Sequence, residues 1–251
     1  MKSIKVRELI IGEGPPKICV PLVGRSRKEL LSSVSIATRL RPDIYELRAD
    51  YLKDNPKEMA MIIKDVRTII TNSPLIYTLR SEEEGGQSDL PREHYLNQNL
   101  KAIESGHADI IDVELEKGEE VINKLASAAH EKNRHILLSK HYFGKMPHKI
   151  EMLKVFQIMQ GYPSDIVKIA VMIDNERELL DLLDISLTMK NECKDRPFVI
   201  IGMGKNGMLS RIIGGIFGSA LTFSKGSEPS APGQLGVEEV RQVIELLDKN
   251  I

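Results

Sequence analysis

The residues of this sequence able to do chemistry are a lysine amid an apolar run, a histidine ending another, and three arginines at or beyond run ends. Lys168 lies in IVKIAVM, 166 to 172, between Val167 and Ile169. Burial there disfavours an ammonium and favours the neutral amine, a nucleophile of the Schiff-base-forming kind. The competing reading is a structural lysine neutralised by an acid such as Asp112 or Glu114. His141 ends HILLSKH, 135 to 141, and is a candidate proton carrier, or else a polar loop residue. Arg48, Arg80 and Arg211 fall late in, at the end of, and just beyond three such runs. Guanidinium groups sharing one mouth suit a carboxylate or phosphate ligand, although each alone also reads as a solvated ion pair.

Two loops belong with these residues. Glu84 lies in SEEEGG, where two glycines permit backbone bends near a ligand and an acid could orient and charge a histidine. The stretch SKGSEPSAPGQL, 224 to 235, is rich in Ser, Gly and Pro and reads as a mobile cover with donors at Ser230 and Gln234, or as an ordinary surface loop. Gly202, Gly204 and Gly207 spell G-x-G-x-x-G after an apolar run, but no acidic strand end follows at the spacing a ribose contact needs. A phosphate cradle at the following helix N-terminus is the better use of that loop. The other five histidines show no H-x-x-x-H pair, and Cys19 and Cys193 are far apart, so neither metal nor disulfide is expected.

These residues must be positioned by β-type runs at 17 to 24, 43 to 50, 74 to 80, 108 to 115, 135 to 141, 166 to 172, 198 to 204 and 220 to 225. Helical spacing recurs between them, near 26 to 40, 56 to 70, 91 to 105, 118 to 132, 148 to 160, 175 to 190, 207 to 217 and 237 to 249. Ser26 with Glu29, and Asp174 ahead of Glu176 and Glu178, are cap signals. Eight β-then-α units predict a (β/α)₈ TIM barrel spanning 1 to 251 as one catalytic domain, with an open doubly wound sheet as runner-up. Charges inside strands favour the barrel: Glu46, Arg48 and Asp50 share a parity, as do Asp112 and Glu114, and with Lys168 they need a mouth that gathers strands two, four and six. Ahead of the barrel, IKVRELIIGEG reads as a strand and turn, a strand or hairpin plugging one end.

The chain has 251 residues, 41% hydrophobic and 28% charged, with 35 Lys+Arg against 36 Asp+Glu. That composition folds, and it gives no electrostatic reason to propose nucleic acid. No run approaches a membrane span and no signal peptide is read, so the expected location is cytoplasmic.

The same residues resemble type I 3-dehydroquinate dehydratases from end to end. The likeness is carried by GEGPPKICVPLVG, E-x-R-x-D at Glu46 to Asp50, T-x-R then E-G-G from Thr78 to Gly86, IDVEL at 111 to 115 and KIAVM at 168 to 172. It continues through Ser210 and Arg211, IFGSALTF at 216 to 223 and SAPGQ at 230 to 234. The resemblance implies dehydration of 3-dehydroquinate through an imine on Lys168, with His141 as general acid/base and Glu84 holding it. It implies Arg211, Ser230 and Gln234 on the substrate carboxylate, and Glu46, Arg48 and Arg80 on ring hydroxyls. It requires no cofactor, metal or nucleotide, and it suggests a homodimer. The chain departs from the family pattern at Lys140 and Tyr142 around the histidine, at Pro21, and at Ile173 and Asp174. Alternation points Lys140 and Tyr142 away from the histidine's face, yet Lys140 adds positive charge close by and lowers the imidazole pKa.

The residues alone reach a Schiff-base barrel lyase; the substrate comes from the resemblance. The alternatives are a class I aldolase acting on a phosphosugar, with its phosphate at the 202-to-207 glycines, and a non-catalytic barrel that binds a small acid.

Overall fold

Repeated strand–helix units require a parallel sheet with helical crossovers, and the computed structural model has that form. It describes residues 2–52, 58–226, 228 and 230–250. The expected start of the second helix at 56, and positions 227 and 229 of the cover segment, lie outside them.

A short antiparallel hairpin, β1 (Ile4–Val6) and β2 (Leu9–Ile11), precedes the barrel. The barrel strands are β3 (Lys17–Leu22), β4 (Ile44–Arg48), β5 (Leu75–Thr78), β6 (Ile110–Glu114), β7 (His135–Tyr142), β8 (Ile166–Met172), β9 (Phe198–Met203) and β10 (Leu221–Phe223). Between and after them run α1 (Arg27–Leu40), α2 (Met59–Ile70), α3 (Arg92–Glu104), α4 (Glu119–Glu131), α5 (Lys149–Gln160), α6 (Glu176–Glu192), α7 (Gly204–Ile213) and α8 (Val237–Asp248). Parallel pairing runs from β10 through β3 and in order to β9. The ring closes where the Ala220 N–H donates to the Phe198 carbonyl and the Ile200 N–H to Ser219 Oγ. Among the described residues, no helix is long and apolar enough to cross a membrane.

Two apolar layers hold the barrel. The outward strand residues pack under the helices in one large core, while Cys19, Ile44, Ile76, Ile110, Leu137 and Ile166 fill the floor inside the ring. The hairpin seals that floor with Val6 and Ile11, which are 2% and 0% exposed. It pairs with itself rather than with barrel backbone, and its anchor is ionic. Asp109, just before β6, accepts from Arg7 Nε at 2.8 Å, Arg67 Nη2 at 2.5 Å and the Leu75 N–H at 2.9 Å. One carboxylate thereby ties the plug to α2 and β5.

Local chemistry sets the helix ends. Ser26 caps α1 and Glu29 answers it by accepting the Arg25 N–H. At α6 the cap is Asn175, one residue later than expected, and Glu178 receives the Asp174 N–H. The seventh helix also differs, running Gly204–Ile213 rather than 207 to 217. Gly204 at φ 79° turns the chain directly from β9 into α7, and Gly202 and Gly207 touch so closely that a Cβ on either would strike the other's backbone. Gly214 and Gly215 then end the helix in a tight turn.

Candidate active site

Along each strand, residues two apart face the same side, and here the inward row changes character as it rises. On β4 it reads Ile44, Glu46, Arg48; on β6 Ile110, Asp112, Glu114; on β7 Leu137, Ser139, His141; and on β8 Ile166, Lys168, Ala170. The lower members make the apolar floor. Of the upper members, Glu46, Arg48, His141, Lys168 and Ala170, with Arg80 beyond β5, line a cavity at the C-terminal mouth, while Asp112, Glu114 and Ser139 bond to Arg80. Each of the sequence candidates Glu46, Arg48, Arg80, Glu84, His141, Lys168, Arg211, Ser230 and Gln234 lines it.

Lys168 is 5% exposed and points into this cavity. Its Nζ lies 3.6 Å from Asp112 Oδ2, 3.9 Å from Glu46 Oε1, and 4.3 Å from the centroid of the Phe223 ring. Strands two, four and six are thus gathered as their charges required. The expected acid Asp112 is there, but at a distance longer than a tight ion pair, and open space adjoins the amine. Asp112 is more firmly held elsewhere: Arg80 Nη2 donates to Oδ2 at 2.6 Å and Ser139 Oγ to Oδ1 at 2.6 Å. Burial alone would raise its pKa, but Arg80, Lys168 and the Ser139 hydroxyl outweigh burial and hold it below the usual carboxylate range.

Arg80 is the electrostatic hub of this end. Its Nη1 donates to Glu114 Oε1 at 3.1 Å and Ser139 Oγ at 2.9 Å, with Glu84 Oε2 at 3.4 Å. Burial works against its charge, but Asp112, Glu114 and Glu84 overcome it and raise its pKa. Arg48 is held in a fork by Asp50, both bonds 2.8 Å, beside the Tyr51 ring. Glu46 accepts from Thr78 Oγ1 at 2.9 Å.

His141 Nδ1 sits 2.9 Å from Glu84 Oε2, which also accepts the His141 N–H at 3.1 Å. Burial, then Arg80, Lys168, Arg48 and Lys140, hold the imidazole well below its usual pKa and favour its neutral form. With the Nδ1 proton given to Glu84, Nε2 is left as the base. Lys140 acts in the direction expected from sequence, behind burial and three other cations. The E-G-G turn brings Glu84 here: Gly85 has φ 77° and lies so close to the Phe143 ring that a Cβ would strike it, while Gly86 abuts the Arg80 carbonyl.

Arg211 is unlike the other cations. It is 2% exposed, and its guanidinium donates only to carbonyls, Phe223 O at 3.3 Å and Pro232 O at 3.0 Å, with Nε unbonded. Among the described residues no carboxylate pairs with it, and burial pulls its pKa down to about 10. A buried cation facing a cavity without an acid partner is built to receive an anion. Ser230 and Gln234 stand beside it on the cover segment, where the Ser230 N–H donates to Gln234 Oε1 at 2.9 Å and Gln234 Nε2 to Ser230 Oγ at 3.2 Å.

The expected phosphate cradle at the 202-to-207 glycines is occupied by protein: the Gly204 N–H donates to the Pro232 carbonyl at 3.2 Å, and Gly233 packs on the Gly204 backbone. Those glycines serve strand–helix contact instead. The sequence reading overlooked Ser139, Phe143, Met203 and Phe223. A signal existed for two of them, because Ser139, His141 and Phe143 share one parity, and a serine in an apolar strand directly pairs with Lys168 in register.

Comparison with known proteins agrees with this geometry. The family model described as type I 3-dehydroquinase matches residues 18–251. A 3-dehydroquinate dehydratase from Bacillus velezensis is 39% identical over 253 residues, covering 100% of both chains. A crystal structure of the type I enzyme from Clostridium difficile, with covalent modified comenic acid, aligns at TM-score 0.95 and 38% identity over 100% of this chain and 99% of that one. The 3-dehydroquinate dehydratase of Geobacillus kaustophilus aligns at TM-score 0.95 and 33% identity over 99% and 97%.

Proposed function

Since the chain belongs to the type I 3-dehydroquinase family and is a 3-dehydroquinate dehydratase, a hydro-lyase of the shikimate pathway, we propose that it works through an imine on Lys168. The observation that carries this reading is a buried lysine amine lining one pocket together with His141, whose Nδ1 meets Glu84, and the buried Arg211 guanidinium, which meets only carbonyl oxygens among the described residues.

Lys168 sheds a proton as its amine attacks the C3 ketone of 3-dehydroquinate, and the carbinolamine hydroxyl takes up that proton and leaves as water, giving a protonated imine. That imine draws electron density from C2. His141 Nε2 removes the C2 proton, the electron pair moves into the C2–C3 bond as an enamine, and it returns to expel the C1 hydroxyl, which leaves as water with the proton from His141. Hydrolysis of the imine frees 3-dehydroshikimate and the lysine. Glu84 keeps the imidazole in the tautomer this needs. Asp112, close to Lys168 yet bound by Arg80 and Ser139, offsets positive charge on the imine without capturing the amine. Glu46, Arg48 and Arg80 face the ring hydroxyls, and Arg211, Ser230 and Gln234 take the carboxylate. A homodimer rests on the family resemblance alone, and a cytoplasmic location on the sequence expectation.

The test is reductive trapping. Borohydride added with 3-dehydroquinate should place ligand mass on the peptide containing Lys168 and abolish activity; dehydration proceeding with that lysine never modified would rule the imine out.

Arg211→Ala is expected to raise KM by roughly 30- to 1,000-fold with a smaller change in kcat, about 2–4 kcal/mol for one buried charge pair. Steady-state kinetics decides it, and an unchanged KM would move the carboxylate site elsewhere.

A further inference from the structure

Strand alternation turns Lys140 away from the barrel interior, yet its side chain reaches the catalytic pair from behind. Its Nζ lies 3.4 Å from Glu84 Oε1 and 2.7 Å from Glu116 Oε1, and 5.3 Å from the centroid of the Tyr142 ring. The two oxygens of Glu84 are therefore divided. Oε2 faces His141 and Arg80, and Oε1 faces Lys140.

The groups facing Glu84 come from several elements. Arg80 approaches from the end of β5, His141 and Lys140 from β7, and the acids Glu114 and Asp112 from β6. Glu116 lies beyond Lys140, and Lys117 is occupied with Glu114 at 3.2 Å. Arg80 is shared among Asp112, Glu114 and Glu84, so it cannot neutralise Glu84 by itself. Lys140 is the second cation, held in place by an acid and an aromatic ring.

We propose that Lys140 is a positioning residue for the dehydration: steadied by Glu116 and Tyr142, its ammonium keeps Glu84 ionised and oriented so that His141 carries its proton on Nδ1 and presents a bare Nε2. The inference rests on the imine reading for what His141 does. Burial already pushes Glu84 up to about 7, with Arg80 and Lys140 opposing it and Glu114 adding to it, so the pair operates close to where this carboxylate takes a proton.

Removing a cation beside a carboxylate raises its pKa, so protonated Glu84 would persist to higher pH. Lys140→Met should therefore move the acid limb of the kcat/KM profile upward by about one pH unit, a loss near tenfold below the limb and little change above it. Lys140→Arg should restore the limb, and Glu116→Gln, at a residue whose side chain is 57% exposed, should move it by less in the same direction. In a Glu84→Gln background, Lys140→Met should leave the limb where Glu84→Gln alone puts it. An unmoved limb in both Lys140→Met and Glu116→Gln overturns the proposal, as does a full shift surviving in the Glu84→Gln background, which would mean Lys140 acts directly on the imidazole. Borohydride trapping in Lys140→Met separates the two readings. Continued trapping with an unmoved limb sinks the role of Lys140 and spares the imine, whereas no trapping in the unaltered protein sinks the imine.

Discussion

Replacing Lys168 with alanine is expected to lower kcat by at least about 10⁴-fold, some 5 kcal/mol of transition-state stabilisation, and to abolish borohydride trapping. The fold should survive, because Asp112 keeps Arg80 and Ser139 and Glu46 keeps Thr78. Lys168→Arg is the sharper variant. A guanidinium retains the positive charge between Glu46 and Asp112 but is not a nucleophile at neutral pH. If Lys168 were only a counter-ion for those acids, the arginine variant would keep turnover; if it is the imine-forming amine, that variant should be as inactive as alanine. Single-turnover and steady-state assays with 3-dehydroquinate distinguish the two outcomes.

His141→Ala should lower kcat by about 10²–10⁴-fold while KM stays within a few-fold, since the imidazole is needed for proton transfer and the carboxylate is held by other residues. Lys168 remains intact in this variant, so the imine should accumulate. Mass spectrometry after mixing with substrate should find the covalent adduct without borohydride, because both dehydration and imine hydrolysis need the missing base. Unchanged turnover would remove His141 from the mechanism. Substrate binding lost along with turnover would make it a binding group instead of a proton carrier.

Much of the site was legible in the chain because a closed barrel turns sequence order into position. Each β/α unit delivers its strand's last inward residues to one mouth, so Glu46, Arg80, His141 and Lys168 could be expected to meet from their places along the strands alone, whereas Glu84 reaches them from a loop. The apolar-then-polar rows Ile44, Glu46, Arg48 and Ile110, Asp112, Glu114 already encode a floor and a mouth. The glycines at 202, 204 and 207 were misleading for a physical reason. The same absence of Cβ that lets backbone approach a phosphate also lets a helix approach a strand, and only coordinates show which neighbour is present.

The sequence by itself determined the barrel and the lysine in its sixth strand, since periodicity and inward parity are local properties that survive without knowledge of contacts, and it pointed to the family through the resemblance of its motifs. Tertiary structure decided the electrical state of each group. Arg80 became a hub for three acids, while Arg211, with the same side chain, was left buried facing only carbonyl oxygens. Lys140, turned outward by its strand, bent back to the acid behind His141. Such assignments depend on distances of a few ångströms between residues far apart in the chain, and on how thoroughly water is excluded from the space between them; neither is written in the order of the amino acids.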